Sequence, residues 1–219
     1  MLERDAVRRS YDELAETYAA NRSEDGRATE LLARFLESLP DSSRVLDAGC
    51  GQGTPVLERL GESTTAVGLD FSRAQLALAA DSEADAALVQ GEMTSLPFGR
   101  STFDAAVAYW SLIHVPTGDQ SAVLDEFARV LKPGGRALVC EGTDEWRGTN
   151  PNWLDSGVGM EWDLAGAAAT AAGLRDAGFE IVDRWGVPEE LDGAGGDGDE
   201  EDPEHPWTLF DARLESSPR

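Results

Sequence analysis

From Arg44 onward the chain alternates short apolar runs with helical stretches, and this rhythm limits the fold more than any other feature. Residues 45–46, 66–69, 87–90, 103–109 and 136–141 read as strands, the last entered through the turn Lys132-Pro-Gly-Gly. Helices are expected over 56–60, over 73–80 behind Ser72 as N-cap, and over 120–131. Strands separated by helices become parallel neighbours, so the pattern predicts a parallel sheet covered on both faces. The first forty residues read as helical, with Tyr11, Leu14, Ala15 and Tyr18 on one face. Leu31, Leu32, Phe35, Leu36 and Leu39 form a second stripe, stopped by Pro40. Beyond the alternation, 165–177 reads as a helix closed by Gly178, and 179–187 and 207–214 as strands. Only a loop rich in Gly, Asp and Glu separates those two strands, so they are expected to pair antiparallel.

A length of 219 residues suits a single domain. The expected division is a helical cap at 1–40, a ligand-binding core at 41–187 with a lid at 142–163, an acidic loop at 188–206, and the last strand and tail at 207–219. The charge is unusual: 42 acidic against 18 basic residues give a net charge of −24, and Lys132 is the one lysine. Such self-repulsion destabilises a compact state in dilute solution, whereas in 1 M salt the screening length falls to about 3 Å. The composition therefore suggests adaptation to a salt-rich cytoplasm, the alternative being an acidic protein with one disordered acidic loop. The charged opening residues show no secretory signal, and the longest mostly apolar stretch, 105–115, is short of the ~18 residues of a spanning helix. Cys50 and Cys140 have no metal-ligand spacing, and His114 and His205 are the only histidines. A cytoplasmic protein without metal or membrane partner is expected.

The segment Val45-Leu-Asp-Ala-Gly-Cys-Gly-Gln-Gly carries the chemistry. A glycine-rich turn between the first strand and a helix is where doubly wound folds bind nucleotides. Gly49 and Gly51 let backbone approach a ligand, but the spacing G-x-G-x-G differs from the dinucleotide pattern. Asp47, just before it, favours a ligand with a cationic portion. Asp70 ends the second strand, about 20 residues on, where a carboxylate accepts from ribose hydroxyls. Phe71 beside it is placed to cover a base, with plain core packing as the alternative. Glu92 follows the third strand and can accept from an exocyclic amine, with the Met93 N–H beside it for a ring nitrogen. Three acids at the carboxyl ends of three successive strands converge on one crevice, which core packing does not require.

The runs VLDAGCGQG, VGLDFS, GEMTSLPF, FDAAVAYWSLIHVP and RVLKPGG, in this order, resemble the class I S-adenosylmethionine-dependent methyltransferases of small-molecule type. The resemblance covers 45–141 and implies a Rossmann-like α/β fold: a seven-stranded, mostly parallel sheet with an antiparallel last strand, helices on both faces and a helical cap. It implies that Asp47, Gly49, Cys50 and Gly51 lie along the methionine part of S-adenosylmethionine. Asp70 and Phe71 would then sit at the nucleoside, Glu92 and Met93 at the adenine, and Trp110 beside the cofactor. Where Glu92 stands, the family more often has Asp. The run YDELAETYAANR resembles the family's cap, implying that Tyr11, Tyr18 and Arg22 close over the cofactor; helix packing accounts equally for the two tyrosines.

Methyl transfer needs alignment, exclusion of water and management of one proton, not a nucleophilic side chain. His114, after the fourth strand, is the candidate catalytic base, with a structural or orienting role as its alternative. Trp146, Trp153 and Trp162 fall in the lid segment and are candidates for acceptor binding, or else a satellite core under a long loop. A small-molecule acceptor is expected. Nucleic acid is not, since no Asn-Pro-Pro-Tyr signature follows the fourth strand. Two other readings stand beside this one: a non-catalytic or regulatory protein that binds S-adenosylmethionine, and a dinucleotide-dependent oxidoreductase, which Asp47 and the glycine spacing oppose. If the acidic surface is an adaptation, the melting temperature rises steeply between dilute and molar potassium chloride; a flat profile across that range would overturn the salt-adapted reading.

Overall fold

The computed structural model describes residues 4–21, 26–60, 64–82, 85–188 and 205–216. Three helices come first: α1 (Arg4–Glu13), α2 (Ala15–Asn21) and α3 (Arg27–Glu37). Alternation follows: β1 (Arg44–Ala48), α4 (Val56–Arg59), β2 (Thr65–Asp70), α5 (Arg73–Asp81), β3 (Ala86–Gln90), β4 (Phe103–Ala108), α6 (Gln120–Val130) and β5 (Leu131–Gly142). Then come β6 (Trp146–Asn150), β7 (Met160–Leu164), α7 (Ala167–Asp176), β8 (Phe179–Val187) and β9 (Trp207–Leu214).

Seven strands form one sheet in the order β3-β2-β1-β4-β5-β9-β8. The first five are parallel, and β9 runs antiparallel to both β5 and β8. The sequence therefore anticipated the sheet, including its reversed end. Its central strands are apolar on both faces because both are covered. Leu46, Ala106, Val139 and Phe210 face a core built with Val123 and Phe127 of α6 and Leu174 of α7. Their neighbours Val45, Ala105, Leu138 and Leu209 face Leu31, Leu32 and Phe35 of α3. The expected stripe on α3 is thus its buried face, with Leu36 and Leu39 at the margin.

Element ends differ from the sequence reading where the backbone has a local reason. Strand β4 stops at Ala108 because Trp110 takes φ 57 and turns the chain out of the sheet. Helix α6 stops one residue early because Leu131 already pairs with Phe103, the next pair being Ala105 with Arg136. The intervening Lys132-Pro-Gly-Gly is accommodated as an irregularity of β5, with Gly134 at φ 79. Helix α7 starts at Ala167, since Gly166 at φ 82 ends the preceding segment. The segment expected as a lid contains an element that the sequence did not reveal. Strands β6 and β7 pair antiparallel as a separate sheet, Trp146 opposite Leu164 and Gly148 opposite Trp162. Arg22 and the acidic stretch 189–204 lie outside the described residues.

The crevice lies where strand order reverses. Strand β1 sends its connections to β2 on one side and has β4 on the other, so their carboxyl ends separate above it. Gly68, inside β2, keeps the layer beneath the crevice thin. A Cβ there would lie 2.8 Å from Cys50 Sγ, 2.9 Å from Leu57 Cδ1 and 3.0 Å from Leu88 Cδ2. Gly68→Ala is expected to destabilise the fold by about 1–3 kcal/mol through overpacking, read as a lower denaturant midpoint at unchanged slope.

Candidate functional site

The glycine turn after β1 is held by backbone on one side and by a carboxylate on the other. Gly49 and Cys50 both donate their N–H to Leu69 O, at 2.7 and 3.0 Å. Gly49 has φ 81, and a Cβ on it would overlap the Cβ of Ser111, whose hydroxyl donates to Ala48 O at 2.6 Å. This position combines a left-handed backbone with close approach, and only glycine satisfies both. Asp70 Oδ2 accepts from Gly51 N at 2.9 Å and Oδ1 from Ser72 N at 2.8 Å. Burial pushes the Asp70 carboxyl up to about 6, against hydrogen bonds from Ser72, Gly51 and Phe71. The nearby carboxylate of Asp12 adds to the rise.

Ser72 caps α5 as expected, its hydroxyl accepting from Gln75 N at 3.2 Å. The same hydroxyl donates to Asp12 Oδ1 at 2.8 Å, and Ala74 N donates to that oxygen at 3.2 Å. Asp12 therefore brings α1 onto the positive end of α5. Burial pushes its carboxyl up, but Ser72, Ala74 and Arg8 outweigh it and hold it below the usual carboxylate range. At its other end α1 is tied by Arg4, whose Nη1 donates to Glu92 Oε2 at 2.6 Å and to Thr94 Oγ1 at 2.9 Å. The sequence reading missed Arg4 and Asp12, since the partners of each lie 60 or more positions away.

One cavity gathers most of the expected ligand contacts. Asp47, Gly49, Cys50, Gly51, Asp70, Phe71, Glu92, Met93, Trp110, His114, Tyr11 and Tyr18 all line it, together with Arg4, Gln52, Gln75 and Tyr109. Tyr11 and His114 meet within it, hydroxyl to Nε2, at 2.8 Å. The three tryptophans stand outside. Trp153 is buried against Tyr11 and Tyr18, with ring centroids 6.0 and 5.6 Å away. Trp162 lies 6.1 Å behind His114, and Trp146, 52% exposed, lies 6.5 Å from Trp162. Val7, Tyr11, Leu14, Trp153 and Met160 form a small core that joins the cap to the β6–β7 hairpin.

The polar groups of the cavity fit a nucleoside carrying an amino-acid tail. Gln75 is buried, and neither amide atom of its side chain has a hydrogen-bond partner among the described residues. A native interior leaves such a group to a ligand or to water. The Asp70 carboxylate lines the cavity and, with about four acceptor positions on its two oxygens, keeps capacity for a ligand hydroxyl beyond its backbone bonds. The glycine cradle, Gln75 and Asp70 lie on one side of the cavity wall, and Tyr109, Trp110 and His114 come from the end of β4.

Residues 45–135 match the family described as methyltransferase domain. The chain is 41% identical over 103 residues to demethylmenaquinone methyltransferase of Mycolicibacterium vanbaalenii, a match covering 47% of this chain and 43% of that one. It is 29% identical over 183 residues to tRNA (carboxymethyluridine(34)-5-O)-methyltransferase of Arabidopsis thaliana, covering 81% of this chain and 44% of that one. Over residues 45–135 the chain is thus similar to methyltransferase domains, as its resemblance to the class I S-adenosylmethionine-dependent methyltransferase superfamily implies. It spans less than half the length of these two curated relatives. In fold it is similar to 1,6-didemethyltoxoflavin-N1-methyltransferase of Burkholderia thailandensis, whose structure holds S-adenosylhomocysteine. That likeness has a TM-score of 0.68 at 20% identity, covering 96% of this chain and 88% of that one. The cofactor of this superfamily is S-adenosylmethionine, which agrees with the glycine cradle, Asp70 and the acidic neighbourhood of Asp47.

Among the described residues, no helix is long and apolar enough to cross a membrane, and no group of three or more His, Cys, Asp or Glu is placed to hold a metal ion. A further buried acid supports the floor between β5 and the hairpin. Glu141 is fully buried, and its Oε1 accepts from Gly142 N at 2.8 Å. Burial pushes its carboxyl up to about 7, against bonds from Gly142, Gln120 and Ala165, and the Asp163 carboxylate adds to the rise. A carboxyl raised on folding contributes stability below its unfolded value and loses it as pH rises through the folded value. The advantage of Glu141→Gln over the wild type is therefore expected to grow between about pH 4 and about pH 8, followed by denaturant unfolding at each pH.

Proposed function

We propose that this chain is an enzyme that transfers a methyl group from S-adenosylmethionine to a small-molecule acceptor. The observation that carries this reading is the single cavity in which Asp47, Asp70 and Glu92, from the ends of three adjacent strands, meet the aromatic wall at the end of β4. When bound, S-adenosylmethionine supplies a methyl group already activated on a sulfonium. The protein's part is to hold, orient and enclose.

Asp70 accepts from the ribose hydroxyls while the Gly51 and Ser72 N–H groups keep its carboxylate in place. Gln75 gives its side-chain amide to the same ligand, and Phe71 with Met93 flanks the base. Glu92 keeps Oε1 for the base amine while Oε2 is bound by Arg4. Asp47 holds the cationic tail. Tyr11 and Tyr18 cover the cavity from the cap, packed edge to face at 5.3 Å, and limit the access of water.

A small acceptor is favoured over RNA by the charge of the wall. Arg4 is the cation that lines the cavity among the described residues, and it is engaged by Glu92 and Thr94. A polyanion needs several such cations along its path. Trp153 and Trp162 serve the acceptor indirectly, by holding Tyr11 and His114 in place. The acidic composition agrees with a protein that works in concentrated salt inside the cell.

Calorimetry tests the cofactor assignment. S-adenosylmethionine and S-adenosylhomocysteine are expected to bind and NAD is not. Asp70→Ala is expected to weaken both by about 1.5–3 kcal/mol through lost charge-assisted hydrogen bonds. Wild-type affinity in that variant would sink the ribose assignment. Binding with no methyl transfer to any member of a metabolite panel would favour the non-catalytic alternative.

A further inference from the structure

Arg4 opens the first helix, yet its side chain works at positions 88 and 90 residues further along the chain. Its Nη1 donates to Glu92 Oε2 at 2.6 Å and to Thr94 Oγ1 at 2.9 Å, both in the turn after β3. On its other side, Nε lies 3.8 Å from Asp119 Oδ2, in the short helical turn before α6. The guanidinium is therefore braced between two separate turns. Arg4, Glu92 and Thr94 all line the cavity.

As an ion pair alone, Arg4 and Glu92 would matter little. Their side chains are 41% and 51% exposed, and exposed pairs contribute little stability. What the pair changes is the freedom of Glu92. Beside Arg4, the Glu92 carboxylate has Thr94 Oγ1 at a long 3.5 Å. A half-exposed glutamate without a firm partner samples several rotamers, and a ligand that needs one of them bears the entropy of fixing it. Arg4 and Thr94 both address Oε2, so the carboxylate is oriented before a ligand arrives and Oε1 is left to receive a donor. Nor does Arg4 suit a ligand anion, since its charge is shared between two acids.

We infer that Arg4 is a positioning residue for recognition of the ligand's base. It fixes Glu92 so that Oε1 accepts from the exocyclic amine of adenine, which makes the helical cap part of the base-reading site. The inference rests on the methyltransferase reading above and on its placement of Glu92 at the base. One carboxylate then has two partners, the cap through Oε2 and the base amine through Oε1. Removing the first partner leaves the second bond possible but no longer prepared, so the loss falls on ligands that carry the amine.

The test uses the full chain and two ligands: S-adenosylhomocysteine, and its purine counterpart in which hydrogen replaces the exocyclic amine. Calorimetry gives both affinities for the wild type, Arg4→Gln, Arg4→Lys, Glu92→Ala and the double variant Arg4→Gln with Glu92→Ala. Failure of S-adenosylhomocysteine to bind the wild type would overturn the methyltransferase reading itself. Equal wild-type affinity for the two ligands would overturn the placement of Glu92 at the base, and the inference with it. Arg4→Gln is expected to weaken S-adenosylhomocysteine about tenfold and to leave the purine counterpart unchanged. Arg4→Lys is expected to keep most of the preference, because one nitrogen of Arg4 serves both Glu92 and Thr94, and an ammonium also carries several donors. Once Glu92 is alanine, the change at Arg4 is expected to alter neither affinity. Equal weakening of both ligands by Arg4→Gln would mark a general role in closing the cap and overturn the inference. So would an unchanged preference, or an effect of Arg4→Gln that persists without Glu92. Melting temperatures verify that the variants fold, and Arg4→Met, which keeps the apolar stem, carries the same expectation where Arg4→Gln does not fold.

Discussion

The hydrogen bonds that Asp70 accepts from Gly51 and Ser72 join three parts of the molecule that are separate in the sequence. Through Gly51 the carboxylate fixes the glycine turn above β1. Through Ser72 it fixes the start of α5, and the Ser72 hydroxyl passes the connection to Asp12 on the cap. The cost is visible in the carboxyl itself, which burial raises to about 6. A buried acid with backbone donors on both oxygens is tolerable because those donors replace part of its lost hydration. Its remaining lone pairs make it useful to a ligand.

The cap is best understood as a second wall rather than an appendage. Arg4 ties one end of α1 to the loop after β3, Asp12 ties the other end to α5, and between them Tyr11 reaches His114. The β6–β7 hairpin then closes behind, with Trp153 and Met160 completing a small core with Val7 and Leu14. Cap and hairpin are each too small to be stable alone, since a two-stranded sheet and two short helices bury little. Each supplies the apolar surface that the other lacks. The tryptophans therefore shape the cavity from outside it.

The charge of −24 leaves its mark on how these contacts are made. Arginine supplies nearly all the cations, and at two places it is used in multidentate fashion. Arg129 bonds both oxygens of Glu126 together with the Phe98 and Leu96 carbonyls, and Arg147 bonds both oxygens of Asp163. The planar guanidinium gives several directed bonds per charge, which a lysine does not. The first pair holds the loop after β3 onto α6, and the second joins the two strands of the hairpin, whose Asp163 also accepts from Thr117 in the turn before α6. Fixed pairs of this kind keep a densely acidic chain folded around a precise cavity.

Much of this architecture was legible in the sequence. Apolar periodicity and punctuation gave the order of strands and helices, because a parallel sheet covered on both faces imposes continuous apolar runs and helical crossovers that leave a local trace. The turn glycines and the acids at the strand ends were legible for the same reason, since Gly49 and Asp70 answer constraints set within a few residues of themselves. The hairpin was not, as Trp146-Arg-Gly-Thr-Asn and Met160-Glu-Trp-Asp-Leu mix apolar and polar residues without a clean alternation. The tyrosines at 11 and 18 read equally as helix packing or as cover; the fold packs them against each other and Trp153, and both line the cavity. Contacts such as Arg4 with Glu92, Asp12 with Ser72 and Tyr11 with His114 join positions 60 to 103 residues apart. No local pattern encodes which distant group a side chain will meet. The sequence by itself determined the sheet and the cofactor end of the crevice, and only the tertiary structure decided what closes over it, because closure depends on pairings that exist solely once the chain has folded.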